Sequence, residues 1–363
     1  MRLLSAFAIS VLVAAVAVLE GEAVGAAQSG GSQADNSGLL AELGAVAHKI
    51  LWETYDRDNW ELFVMNADGT GRRNLTNTPN VHEMYPQASP DGSRICFVAD
   101  VQTDGDTIRS VYYMNADGTG RKLVAEKGRQ PCWSSDGTRI AFAKQEFERF
   151  NISDFATTGL YFYDLETGET TAHPNNGHPD EKKRLHHLYN PVWSGDGKWI
   201  VSTVHAGMGY SHGILAIEVD GDRVLNLRIE GCRPNLSPDS TKITWSRDDR
   251  TVCVADIDFS PPEPKVSNAR ILDRRPELHL YHPDFSPDGR YIVYSVGPGG
   301  RVSANGPGTH TDLAEIVGVR GKWNLYLKRV DDKSPGVQLT SGESATNKEP
   351  EWLAVYPGKE IAQ

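Results

Sequence analysis

Polar, basic and aromatic side chains stand just ahead of prolines that recur along the chain. These side chains belong to Glu83, Tyr85, Arg129, His187, Tyr189, Arg233, Tyr281, His282, Lys348 and Glu349. Imidazole and phenol groups can act as general bases, and guanidinium and ammonium groups stabilise negative charge. If the fold gathers these positions, they form a site for a polar or anionic ligand. The alternative is that they only hydrogen-bond to one another and to water.

The prolines belong to an internal repeat. The block PQASPDGSRICFV (86–98) recurs as PCWSSDGTRIAFA (131–143), PVWSGDGKWIVST (191–203), PNLSPDSTKITWS (234–246) and PDFSPDGRYIVYS (283–295). Ser-x-Asp-Gly predicts a tight turn between antiparallel strands, because Asp bonds nearby backbone and Gly adopts the left-handed conformation. Ser240 replaces this Gly in the fourth copy, and there we expect a strain of about 1 kcal/mol.

A second hairpin follows each turn block, as in ELFVMNADGTGRRNLT (61–76) and SVYYMNADGTGRKLV (110–124). Two hairpins per repeat supply the four strands of one propeller blade. The C-terminal PEWL (350–353) matches the first strand of a blade, whereas KILW (49–52) matches a second strand. The sequence therefore predicts an all-β, six-bladed β-propeller, closed by pairing of the C-terminal strand with the N-terminal blade.

The motifs MNADGTG and P-x-W-S-P-D-G-x-x-I resemble the WD40-like (PD40) repeats of TolB-type propellers. The resemblance covers about residues 47 to 356. That family includes the periplasmic partner of the Tol–Pal envelope system, and similar propellers gate oligopeptidases. We expect neither the α/β domain of TolB nor a hydrolase domain here, so the resemblance implies a fold and leaves function open.

The N-terminal segment, residues 1–27, has the pattern of a secretory signal peptide. Arg2 precedes an apolar stretch from Leu3 to Leu19, and small residues suited to cleavage follow it. A membrane anchor is the alternative, although the apolar stretch is short for a span. A polar linker over 28–46, the propeller over 47–356 and a tail over 357–363 complete the predicted organisation. We expect a periplasmic or secreted protein with no stable membrane span after cleavage.

The net charge and the cysteine spacing of the chain restrict the partners and metals that it can bind. The 363 residues carry a formal net charge of −11 without a basic cluster, which argues against nucleic acid. Cys96, Cys132, Cys232 and Cys253 lack the CxxC spacing of zinc sites, and we expect them as buried side chains of a monomer. Disulfides are the alternative in an oxidising compartment.

Strand order places the Ser-x-Asp-Gly and Asn-Ala-Asp-Gly turns on one side of the disc, which we call the turn face. The long connections 145–159, 173–189, 205–212 and 297–322 lie on the opposite side, the loop-rich face. Every histidine except His48 lies on or near this face, where long loops on a rigid frame commonly bind ligands.

Four of these histidines, His187, His205, His212 and His282, are candidates for a divalent metal, because imidazole suits zinc, manganese and iron. Neither HxH nor HExxH spacing supports a metal site, and we expect no other cofactor. Ordinary hydrogen-bonded loop histidines are the alternative.

Two functions fit these patterns. The first is an exported, non-catalytic protein- or glycan-binding or assembly module of the bacterial cell envelope, with its partner on the loop-rich face. The alternative is a propeller lyase acting on an acidic polysaccharide. Its base would be His187 or Tyr189, and Arg129, Arg233 or a metal would neutralise the substrate carboxylate.

Overall fold

The computed structural model describes residues 33–149, 156–260, 262–298, 321–331, 333, 336–342 and 346–356. The predicted signal peptide, the predicted tail and parts of two long connections (150–155 and 299–320) lie outside these residues. No helix among those described has the length and apolar character that a membrane span requires.

The described strands form six antiparallel four-stranded sheets, the blades of a propeller. Blade 1 contains β1 (Lys49–Asp56), β2 (Asn59–Asn66), β3 (Arg73–Asn74) and β24 (Asn347–Leu353). Blade 2 contains β4 (Val81–Ala88), β5 (Arg94–Thr103), β6 (Asp106–Asn115) and β7 (Lys122–Glu126). Blade 3 contains β8 (Gly128–Trp133), β9 (Arg139–Gln145), β10 (Thr157–Asp164) and β11 (Thr170–Ala172), followed by a 3-10 helix (Pro174–Gly177).

Blade 4 contains β12 (Leu188–Trp193), β13 (Trp199–Gly207), β14 (Tyr210–Glu218) and β15 (Val224–Asn226). Blade 5 contains β16 (Cys232–Leu236), β17 (Lys242–Ser246), β18 (Thr251–Asp258) and β19 (Lys265–Arg274). Blade 6 contains β20 (Leu278–Phe285), β21 (Tyr291–Pro298), β22 (Asn324–Arg329) and β23 (Val337–Gln338).

The ring closes by antiparallel pairing of β24 with β1. Ile50 lies opposite Trp352, and Glu53 lies opposite Lys348. The C-terminal strand therefore completes the N-terminal blade, which confirms the predicted six-bladed architecture. Strands β4, β8, β12, β16, β20 and β24 contact one another in order around a central channel.

The Ser-x-Asp turns are built as the repeat predicts. In blade 2, Ser89 Oγ donates to Asp91 Oδ1 (2.8 Å) and accepts from Arg94 N (2.9 Å). Gly92 has φ +69°, and Ser240 takes the same left-handed conformation with φ +53°. The Ser240 hydroxyl accepts a hydrogen bond from Gly195 N (2.6 Å), so this side chain also links blade 5 to blade 4.

The hydrophobic core lies between neighbouring blades. Between blades 1 and 2, for example, Leu51 and Leu62 pack with Ile95, Phe97 and Met114. These side chains are fully buried, and each contributes roughly 1.5–3 kcal/mol by leaving water. The repeated apolar strands thus stabilise the ring through contacts between copies.

The four cysteines all lie in the described part of the chain, form no disulfide there and are buried. Burial raises the pKa of the Cys253 thiol to about 11 and that of Cys96 well above its usual range. A thiol that stays protonated is a poor nucleophile, so these side chains act as small apolar groups.

Residues that the sequence analysis assigned to a polar linker form α1 (Gln33–Leu43). Leu39 and Leu43 are buried in the apolar cluster that joins blades 6 and 1. Glu42 accepts hydrogen bonds from Arg290 (3.0 Å) and Arg329 (2.6 Å), both in blade 6. The helix therefore packs across the seam where the ring closes.

Candidate functional site

The residue before each repeat proline has a left-handed backbone in all six blades. These residues, which we call the throat ring, are Tyr85 (φ +54°), Gln130 (+55°), Asn190 (+47°), Arg233 (+55°), His282 (+54°) and Glu349 (+47°). Proline has no N–H for the strand ladder, and the register shifts by one residue beside each of these prolines. Each inner strand therefore bulges at the same height of the channel.

Most of the throat ring borders a small cavity in the channel. Except for Gln130, its members line a cavity of about 40 Å³ on the channel axis. Asn190 Nδ2 donates to the Tyr85 hydroxyl (3.3 Å), and Asn190 N donates to Gln130 Oε1 (2.8 Å). His282 Nε2 lies 2.9 Å from Glu349 Oε1. These contacts between different blades hold the side chains in place across the channel.

Three side chains just beyond the throat ring bond to the free edge of the next blade. Asp284 Oδ2 accepts from Trp352 N (2.7 Å), Glu351 Oε1 from Ala88 N (3.3 Å) and Asn235 Oδ1 from Phe285 N (3.4 Å). An innermost strand has no neighbour on its channel side, so its buried N–H groups need such acceptors.

The carboxyl groups around the channel bind protons more readily than usual. Burial raises the pKa of Asp284 and of Glu349 to about 7. Burial, together with the nearby Asp284 charge, raises the pKa of Glu351 well above its ordinary value. Lys348 and then Arg233 oppose the rise at Glu349 through their positive charges.

Some residues predicted for the site lie elsewhere. Lys348 is fully buried, with its Nζ 3.5 Å from Glu53 Oε1. Tyr281 is buried in a cluster with Cys232 and Trp323. Arg129 is also buried, with Nη2 3.4 Å from Gln145 Oε1, and the buried carboxyl of Glu83 pairs with Arg121. Tyr189 is half-buried.

Gln130 and Asn190 belong to the throat ring, but the sequence analysis missed them in favour of Arg129 and Tyr189. A simple signal was present, because every throat residue immediately precedes a repeat proline. Arg129 and Tyr189 were favoured because guanidinium and phenol groups are more reactive than the amides of Gln130 and Asn190.

The candidate metal ligands are held by other contacts. His187 bonds Glu146 Oε2 through Nε2 and the Ala206 carbonyl through Nδ1, both at 2.7 Å. His205 and His212 are cross-strand partners with ring centroids 5.3 Å apart, and burial lowers the pKa of His212. In the parts of the chain that the structure describes, no group of three or more His, Cys, Asp or Glu side chains is arranged to hold a metal ion.

Comparison with known proteins rests on structure. No protein-family model matches the chain. No curated protein matches it in sequence. TolB from Acinetobacter baumannii superposes with a TM-score of 0.60 at 18% identity, covering 90% of this chain and 72% of that one. The chain shares the propeller fold of TolB.

Other solved structures support the same conclusion about fold. A putative TolB from Agrobacterium tumefaciens gives a TM-score of 0.54 at 14% identity, covering 85% of this chain and 100% of that one. Hydrazine synthase from Kuenenia stuttgartiensis gives 0.58 at 13% identity, covering 88% of this chain and 48% of that one. Proteins of different function share this TolB-like frame, so function must be argued from the site.

Proposed function

We propose that the chain is an exported, non-catalytic binding or assembly module of the bacterial cell envelope. Its protein or glycan partner docks on the loop-rich face. Export rests on the predicted signal peptide, and the propeller supplies the rigid frame on which the long connections are displayed.

The observation that carries the proposal is the throat ring. Each non-glycine residue in the left-handed conformation costs roughly 1–2 kcal/mol, and the propeller keeps six of them at one level of the channel. Strained backbone of this kind concentrates at functional sites. Contacts join Asn190 to Tyr85 and to Gln130, and His282 to Glu349, so this largely buried ring holds the frame beneath the loop-rich face in place, and a partner that docks on that face meets a preorganised support.

Two exposed apolar residues provide a matched test of the docking face. Phe147 follows β9 on the loop-rich face, with 54% of its surface exposed. Leu123 lies in β7, close to an Asn-Ala-Asp-Gly turn on the turn face, with 46% exposed. A photo-crosslinking amino acid placed at either position perturbs the fold little, because neither side chain belongs to the core.

We expect the Phe147 variant to form one dominant crosslinked product in cells, identified by mass spectrometry or by glycan analysis. The Leu123 variant should not form that product. Excess unlabelled protein should suppress the crosslink in cell extracts, and Phe147→Ser should suppress it less effectively than the unchanged chain. Equal labelling from both positions, or release of unsaturated uronic products from a polysaccharide panel, would contradict the proposal.

A further inference from the structure

The hairpin between β13 and β14 places two histidines opposite each other at the loop-rich face. His205 and His212 are direct cross-strand partners. The hairpin turns through Met208 (φ +55°) and Gly209 (φ +72°), and two successive left-handed residues are typical of a tight two-residue turn. Met208 is fully buried, and its N–H donates to His186 Nε2 (3.1 Å). The turn is therefore anchored to the blade, which fixes the two histidines relative to each other.

Both histidines lie on the side of blade 4 that faces blade 5. Residues an even number of positions apart on a strand share one face of the sheet. His205 therefore shares a face with Val201, and His212 shares it with Ala216. Val201 and Ala216 pack in the apolar cluster that blade 4 forms with blade 5. The histidine pair thus lies at the loop-rich end of this packed interface, on a supported part of the sheet.

The distance between the two imidazole rings suits a shared metal ion. Their centroids are 5.3 Å apart, and the ring planes are tilted by 39°. Two imidazoles that bind one tetrahedral zinc ion with Zn–N distances of about 2.0–2.1 Å have ring centroids about 5 Å apart. Both residues are exposed in part, so an ion and its water can reach them. Little rearrangement separates this pair from a two-imidazole chelate.

The protonation state of His212 also suits a metal ligand. Partial burial, followed by the charges of His205 and Arg233, lowers the pKa of His212, and Asp249 of blade 5 opposes this change. An imidazole must be neutral to bind a metal ion, because the proton and the metal compete for the same nitrogen. His212 is therefore in the required state at neutral pH.

From this geometry we propose that His205 and His212 form a site for a divalent transition-metal ion such as Zn²⁺. The two imidazoles supply two of the four ligands that zinc commonly takes, and water supplies the others in the isolated chain. The site goes beyond the proposed docking function and does not require a partner.

Isothermal titration calorimetry of the full chain with ZnCl₂ at pH 7.5 tests the site. Millimolar CaCl₂ in the buffer occupies carboxylates of this acidic chain, since calcium prefers oxygen ligands, so the remaining heat reports nitrogen ligands. His205→Gln and His212→Gln should each weaken Zn²⁺ binding about 100-fold, because loss of a partner outside the ligand shell already costs about 10–100-fold. Circular dichroism and urea midpoints will verify that both variants fold.

His178→Gln is the matched control. His178 lies on the connection 173–189 of the same face, and its Nδ1 accepts from Asp180 N (3.0 Å). This variant should bind Zn²⁺ within about twofold of the unchanged chain, because it leaves both proposed ligands in place.

Electron paramagnetic resonance with Cu²⁺, which binds nitrogen sites more tightly than Zn²⁺, identifies the bound nitrogens. We expect two imidazole nitrogens in the unchanged chain and fewer in His212→Gln. Four outcomes would overturn the proposal: no Zn²⁺ binding in the presence of calcium, unchanged affinity in folded His205→Gln and His212→Gln, an equal loss in His178→Gln, or a Cu²⁺ spectrum without two imidazole nitrogens. None of these results bears on the crosslinking experiment, so the two proposals can fail separately.

Discussion

The seam of the ring depends on a buried ion pair. Glu53 of β1 and Lys348 of β24 are cross-strand partners, and both side chains are fully buried with Nζ 3.5 Å from Oε1. The other Glu53 oxygen, Oε2, accepts a hydrogen bond from Tyr85 N (2.9 Å). Lys348→Met removes the cation and leaves this carboxyl in the interior. Breaking one side of a buried pair costs about 3–5 kcal/mol, so we expect a loss of that size at pH 8.

The destabilisation caused by Lys348→Met should depend on pH in a defined direction. Burial raises the pKa of Glu53 to about 7, and Lys348 opposes that rise, so Lys348→Met raises the pKa further. A carboxyl whose folded pKa lies above its unfolded value favours the folded state at low pH and loses this contribution as pH rises. The destabilisation by Lys348→Met should therefore be smaller at pH 5.5 than at pH 8, because protonated Glu53 needs no cation.

Urea denaturation followed by tryptophan fluorescence measures the free energies of unfolding. The double variant Glu53→Gln/Lys348→Met should recover most of the stability, because an uncharged pair is often as stable as a buried ion pair. Lys242→Met is the control, since its pair with Asp256 is largely exposed and contributes about 0–1 kcal/mol. If Lys348→Met costs no more than Lys242→Met, or if the double variant is as unstable as the single one, the reasoning is refuted.

Three further predictions concern stability. The five buried carboxyls with raised pKa should lower the free energy of unfolding by about 3 kcal/mol or more between pH 6.5 and pH 8, a fall that the histidines with lowered pKa offset only in part; a rise in denaturation midpoints there would contradict this. Leu43→Ala should cost about 2–5 kcal/mol, because this fully buried side chain of α1 packs across the seam; an unchanged melting temperature would exclude a stabilising role for the helix. Ser240→Gly should be nearly neutral, since relief of about 1 kcal/mol of strain offsets the lost hydrogen bond from Gly195, whereas Ser240→Ala should lose about 1 kcal/mol; equal effects in urea denaturation would show that the backbone is not strained, and a neutral Ser240→Ala would show that the bond contributes nothing.

The sequence predicted the inner strands of the central channel but only part of the throat ring. The prolines located the inner strands correctly, but the identity of the axis-facing residue depended on the bulge. A side chain turns toward the opposite side of a strand when its position moves by one residue. Gln130 and Asn190 take the left-handed position of the throat ring, whereas their neighbours Arg129 and Tyr189 do not. The position immediately before each repeat proline carried this signal in the sequence, but its meaning became clear only from the bulge.

The sequence by itself determined the blade repeat, the left-handed position of Ser240 and the pairing of β24 with β1, because these follow from local turn chemistry and from matching strands in the repeat. Only the tertiary structure decided that α1 crosses the seam, and that Asp284 and Glu351 accept hydrogen bonds from the inner strands of neighbouring blades. These features depend on contacts between blades that are distant in the chain. Their energies come from burial and from neighbouring charges, which exist only after the ring has closed.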